Sequence, residues 1–142
     1  MKAPYFLYER YGALLECKDD IEAAGRLLKE TFAAGGTIYC CGNGGSAADC
    51  EHIVGELMKG FLRKRPLSPA EKEVLKSFGP EGGKLAEELQ SAVPAVSLVN
   101  SVGLGTAFAN DVAPELVFAQ QIYGLGRAGD ALIAISTSGN SR

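Results

Sequence analysis

Histidine is nearly missing from this chain of 142 residues: His52 is the only one. No second imidazole exists to complete a metal site or to share acid and base work with the first. Cysteine is sparse as well. Cys17, Cys40, Cys41 and Cys50 show no CxxC spacing, and Cys40 and Cys41 project to opposite faces of any strand that holds them. Reduced, packed thiols are therefore expected rather than a disulfide or a thiolate metal site. No apolar run approaches the length of a membrane span, and the start, MKAPYFLYERYG, lacks the apolar stretch and cleavage site of a signal peptide. A cytoplasmic protein with no membrane partner is expected. Neither sign of charge prevails: 14 Lys and Arg face 17 Asp and Glu, and the net charge of -3 gives no reason to expect nucleic acid. Small molecules or other proteins remain as partners.

Glycine is plentiful, with 18 residues gathered where turns belong. Leu7, Tyr8, Tyr11, Leu14 and Leu15 form one apolar stripe, which predicts a helix over Pro4–Cys17 that packs on the domain or on a second subunit. The following DDIEAAGRLLKETFAAGG opens on aspartates, repeats Ile21, Ala24, Leu28 and Phe32, and stops at Gly35 and Gly36. Thr37–Cys41 is predicted as a buried strand, and Ser46 to about Phe61 as a helix with Ile53, Leu57 and Phe61 on one side. Ser68, Pro69 and Glu71 resemble a capping box, so a short helix should run to Phe78, with another over Lys84–Ser91. Arg63, Lys64 and Arg65 form either a phosphate contact or a solvated charged face, and the latter is preferred. Ala95–Val99 and Asp130–Ser136 read as further strands, separated by the helix-like APELVFAQQIYGLG. Strands alternating with helices imply an α/β fold with a parallel sheet covered on both faces. Three strands with no closing helix would leave a face and an edge bare, so the chain reads as part of a longer one.

Two loops follow strands, where ligands of parallel sheets sit. GNGGS at 42–46 lets backbone approach a ligand closely, because Gly42, Gly44 and Gly45 have no side chains in the way. STSGNS at 136–141 offers the hydroxyls of Ser136, Thr137, Ser138 and Ser141, with free amides at a helix start, which suits a phosphate. Taken alone, either loop reads better as a structural turn. Neither fits GxGxxG or GxxxxGK[ST], so neither a dinucleotide nor a nucleoside triphosphate is the natural ligand. His52 and Glu56 lie four apart on one helix face and can present a nitrogen and a carboxylate oxygen to zinc, or form an ordinary helical polar pair.

The run CGNGGSAADCEHIVGEL, then ANDV at Ala109–Val112, then GDALIAISTSGNS resembles the sugar isomerase (SIS) domain family. Within it the likeness is greatest to the phosphoheptose isomerases, which interconvert sedoheptulose 7-phosphate and D-glycero-D-manno-heptose 7-phosphate. The resemblance implies a three-layer α-β-α sandwich with a flavodoxin-like parallel sheet, preceded by a helical segment over 1–35. The SIS domain would occupy 36–142, incomplete at its C-terminus, with a helical insertion at about 63–93. It implies that Asn43, Gly44, Gly45, Asn110 and Asp111 contact the sugar phosphate and that Ser136, Thr137, Ser138 and Ser141 hold its phosphate. His52 and Glu56 would be ligands of one Zn2+ ion, with Glu56 also touching substrate and acting as the base.

The family's remaining zinc ligands, a glutamine and a histidine, lie on a helix beyond the serine loop, and none matches here: Gln120 and Gln121 fall in the wrong segment. The 142 residues alone are therefore expected to be inactive. A homo-oligomer is implied, a tetramer being the family's common form, although a second copy of the same residues supplies no missing histidine. The rival expectation is a non-catalytic SIS module that binds a sugar phosphate or a protein partner such as a replication initiator.

Overall fold

A computed structural model describes residues 5–140. Among these residues three strands form one parallel sheet in the order β2-β1-β3: β1 is Ile38–Gly42, β2 is Ala95–Ser97 and β3 is Ala131–Ile135. Every residue of the central β1 is buried, as its β-branched, aromatic and small side chains require of a strand covered on both faces. On one face Ile38, Cys40 and Ala95 meet Cys50, with Leu28, Ile53, Val54 and Leu57 packed round them. These come from α2 (Lys18–Ala33) and α3 (Gly45–Met58). On the other face Tyr39, Cys41 and Leu98 meet Phe118 and Ile122 of α7 (Val117–Leu125). Helix, sheet and helix thus make the three layers that the alternation of strands and helices implies. Cys40 and Cys41 do face opposite layers. Among the described residues no helix is long and apolar enough to cross a membrane.

All four thiols are free. Burial, with Cys50 and Cys41 nearby, pushes the Cys40 thiol up to about 11, and burial raises Cys41 and Cys50 too. At pH 8 roughly one Cys40 in a thousand is then the reactive thiolate. A disulfide reagent should modify the half-buried Cys17 quickly and the other three slowly in native protein, with all four thiols titrating in denaturant. Rapid native reaction of more than one thiol would contradict this packing.

Several boundaries differ from expectation, each for a local reason. The stripe predicted as one helix from Pro4, itself outside the described residues, divides into α1 (Tyr5–Arg10) and a 3-10 turn at Gly12–Cys17. The break comes where Tyr11 turns to φ -130, ψ 73 ahead of Gly12, a poor helix former. Helix α3 stops at Met58, not Phe61, because Lys59 is extended. The Arg65 guanidinium donates to the carbonyls of Glu56 and Leu57 at 3.2 and 2.7 Å, so Arg65 closes the end of that helix, while Arg63 and Lys64 remain exposed. The capping box is present: in α4 (Pro69–Lys76) Ser68 accepts from the Glu71 amide and Glu71 accepts from the Ser68 amide. Helix α4 ends two residues before Phe78, where Ser77 donates back to the Val74 carbonyl.

Helix α5 runs Pro80–Glu88 rather than Lys84–Ser91, since Gly79 at φ +85 supplies the entry turn and Pro80 suits the first helical position. Strand β2 ends at Ser97, two residues early, because the Leu98 carbonyl accepts from the buried Gln121 amide at 2.9 Å instead of continuing the ladder. The chain then makes a 3-10 turn at Leu98–Asn100 and a helix that periodicity did not suggest, α6 (Val102–Asp111). Pro114 opens a 3-10 turn, Pro114–Leu116, before α7 begins. Strand β3 starts after Asp130, whose carboxylate accepts from the amides of Thr37 and Arg127, both at 2.7 Å. Those amides hold the Asp130 carboxyl below the usual aspartate range. The string GLGRAG at 124–129 matches GxGxxG by letter only: it leaves α7 and enters β3, the reverse of the strand-to-helix order that cradles a pyrophosphate.

Candidate functional site

At the carboxyl ends of the strands a cavity of about 520 Å³ opens, within the range of small-ligand sites. The GNGGS loop forms one wall. Gly42, the last residue of β1, is buried, and a Cβ there would lie 2.8 Å from Ser46 Cβ and 3.1 Å from the Ile135 carbonyl oxygen. Glycine is therefore required for β1, α3 and β3 to come this close. Gly44 takes φ +59 and ψ -124 at the entry to α3, a conformation that side chains disfavour. The Asn43 and Gly44 carbonyls accept from the Ser46 and Ala47 amides, both at 3.1 Å, which sets the turn.

A second wall follows β3. Ser136 lines the cavity next to Ile135. Beyond it the loop closes on itself: Gly139 at φ +69 donates to the Ser136 carbonyl, and the Asn140 amide donates to Ser138 Oγ at 3.2 Å. Among the described residues this loop does not enter a helix, and Ser136, Thr137 and Ser138 are exposed. Ser141 lies outside the described residues. The third wall is the region that sequence periodicity missed. Ser101, Val102 and Thr106 of α6 and its entry line it, as do Glu115 and Phe118. Thr106 was hidden by the two glycines in its helix, and Glu115 by its ordinary place after a proline. No spacing signal singled out either residue.

Asn43, Gly44 and Ser136 of the proposed phosphosugar set share this cavity. Gly45, Thr137 and Ser138 adjoin it in sequence without lining it. Asn110 and Asp111 end α6 as an exposed pair, the Asn110 amide donating to Asp111 Oδ1 at 2.7 Å. His52 and Glu56 sit together on the outer face of α3 and also do not line the cavity. His52 Nε2 is 3.8 Å from Glu56 Oε1, and the side chains are 78% and 42% exposed. One metal ion can bridge donors at that separation, but a zinc site needs at least three protein ligands. Among the described residues no group of three His, Cys, Asp or Glu side chains converges on one point, so the pair fits part of a site. Next to His52, the Ser97 hydroxyl and the Asn100 amide hold the Glu51 carboxyl below the usual range, and Asn100 donates to Glu51 at 2.6 Å. Glu51 thereby ties α3 to the residues that lead into the third wall.

A family model for the SIS domain matches residues 12–72. The phosphoheptose isomerase of Akkermansia muciniphila is 36% identical over 134 residues, which make up 94% of this chain and 58% of that protein. The phosphoheptose isomerase of Thiobacillus denitrificans is 39% identical over 121 residues, covering 85% and 49%. Among solved structures, a phosphoheptose isomerase from Neisseria gonorrhoeae superposes with a TM-score of 0.57 at 29% identity, over 95% of this chain and 61% of that one. A phosphoheptose isomerase from Francisella tularensis shares the fold with a TM-score of 0.63 at 23% identity, over 96% and 62%. The chain spans about half the length of the curated relatives it matches. The resemblance carried by the motifs is borne out: residues 12–72 match the SIS domain model, and the chain is similar in sequence and fold to phosphoheptose isomerases.

Proposed function

We propose that this chain is part of an isomerase that converts sedoheptulose 7-phosphate into D-glycero-D-manno-heptose 7-phosphate. The observation that carries the reading is the meeting of two ligand loops, through Asn43, Gly44 and Ser136, in one cavity at the carboxyl edge of a parallel sheet. The relatives named above, all phosphoheptose isomerases, supply the reaction class.

In this proposal the phosphate rests against the backbone of the GNGGS loop and the serine hydroxyls, with Gly45, Thr137, Ser138 and Ser141 completing the cradle. Asn110 and Asp111 meet sugar hydroxyls. Moving a carbonyl between neighbouring carbons requires a proton to leave one carbon and another to arrive at the next through an enediol, so a placed carboxylate is needed. Glu56 is that base. From Ala47, on the cavity wall, to His52 is five residues of α3, or about 7.5 Å along its axis, within the span of a seven-carbon chain. His52 and Glu56 would hold one zinc ion together with ligands from outside the described residues, and a bound zinc would polarise the carbonyl. The high exposure of both side chains suits a centre completed by further protein. Phe6, Leu15 and Leu27, 65%, 58% and 54% exposed on the N-terminal helical segment, support a homo-oligomer, a tetramer being the favoured form.

The test is sedoheptulose 7-phosphate turnover by the longest natural form of the protein, with zinc added, beside Glu56→Gln. Loss of about 10²–10⁴-fold in kcat with substrate binding retained is expected. Binding without turnover in the unmutated protein would place it among non-catalytic sugar-phosphate binders.

A further inference from the structure

Among the described residues Glu115 is the one charged side chain that lines the cavity. No lysine or arginine among the described residues lines it, so a phosphate entering there meets neutral donors at Asn43, Gly44, Ser101 and Ser136 and a carboxylate at Glu115. Glu115 has no hydrogen bond or ion pair among the described residues. Helix capping does not account for it either: the 3-10 turn it belongs to is three residues long, starts after Ala113 and has no side-chain cap. An unpaired carboxylate on a cavity wall has open acceptor sites and repels anions.

Its position follows from the strand order. Strand β1 lies between β2 and β3, so Ser136, which continues β3, stands on one side of the GNGGS loop. The chain leaving β2 builds the other side, where α6 and the Pro114–Leu116 turn pack on each other and on α7. Thr106, also on that wall, commits its hydroxyl proton to the Val102 carbonyl at 2.7 Å and faces a ligand as an acceptor. This wall thus offers the only carboxylate among the described lining residues, with the Thr106 oxygen and the Ser101 hydroxyl beside it, whereas the loop walls offer neutral groups: glycine backbone, Asn43 and Ser136.

We infer that Glu115 fixes which way round a phosphorylated sugar lies: its carboxylate accepts hydrogen bonds from the hydroxyl end of the ligand and turns the phosphate toward the Ser136 wall. This rests on the cavity being the phosphosugar site proposed above. Glu115 is a binding and orienting residue, and no bond to it forms or breaks.

The experiment compares unmutated protein, Glu115→Gln and Glu115→Ala, titrated with sedoheptulose 7-phosphate and separately with inorganic phosphate, with Tm recorded for each. Glu115→Ala should weaken the sugar phosphate about tenfold or more, the scale of losing hydrogen bonds to a charged acceptor. It should leave inorganic phosphate unchanged or bound more tightly, because a repelling charge is gone. Glu115→Gln, which keeps one acceptor oxygen, should recover part of the sugar-phosphate affinity. Equal losses for both ligands with a lowered Tm would mean a structural role and overturn the inference, as would unchanged affinity for both. Unmutated protein that binds neither ligand would overturn the functional reading itself, and the orientation with it.

Discussion

Replacing Gly42 with alanine should destabilise the protein by about 1–3 kcal/mol, and replacing it with valine should cost more and disrupt the cavity. The new Cβ meets three atoms at once: Ser46 Cβ at 2.8 Å, the Ser46 carbonyl at 3.0 Å and the Ile135 carbonyl at 3.1 Å. Two of these are backbone atoms in the first turn of α3 and the last residue of β3, so no flexible side chain can yield. Ser46 is itself 6% exposed and has nowhere to move. Relief requires β3 and α3 to separate, which draws Ser136 away from Asn43 and Gly44. Denaturant melts should show the stability loss, and titration with sedoheptulose 7-phosphate should show weaker binding by Gly42→Ala even where it remains folded. A Gly42→Ala protein with unmutated stability and binding would refute the close approach. Gly45, where a Cβ meets nothing within 4 Å, is the control for stability alone, and Gly45→Ala should melt as the unmutated protein does.

Ile38→Ala should be the most damaging simple truncation, with a loss of about 2–5 kcal/mol, against about 0.5–1.5 kcal/mol for Ile38→Val. Ile38 is 2% exposed in the central strand and is among the largest side chains fully enclosed. Its neighbours come from every element on its face of the sheet: Cys40, Cys50 and Ala95, with Leu28 of α2, the apolar side of α3 and Ile133 of β3 near by. Cys50 and Ala95 are too small to expand into the space that the truncation leaves. The cavity therefore persists and its cost adds to the lost transfer energy. Urea or guanidinium midpoints for the three proteins give the comparison. A domain of this kind commonly has about 5–15 kcal/mol in total, so Ile38→Ala would consume a large share of it. An alanine cost below that of valine would show that the core can collapse onto the gap.

Much of the fold was legible because its signals are local. A β-branched and aromatic run ending in glycines gave β1 within one residue at each end, and aspartates ahead of an apolar repeat gave α2. The Ser68–Glu71 capping box was readable to the atom, since it depends on four consecutive residues. Helix α6 was not legible: Gly103 and Gly105 depress its propensity, and it forms because α7 and the Pro114–Leu116 turn pack on it. Strand β2 was overextended for the same kind of reason. The residue that ends it, Gln121, is 23 positions away and captures the Leu98 carbonyl only once α7 lies on the sheet.

The site divides in the same way. The sequence by itself determined the chemistry-bearing loops, GNGGS and STSGNS, the His52 and Glu56 pair on one helix face, and the family likeness that the relatives bear out. These are short-range patterns in which residue type and spacing carry the physics directly. Only the tertiary structure decided which of those residues share a cavity, that His52 and Glu56 stand exposed outside it, and that Thr106 and Glu115 form its third wall. Strand order and helix packing bring together positions as far apart as 43, 115 and 136, and no periodicity along a chain encodes a distance between elements that meet only after folding.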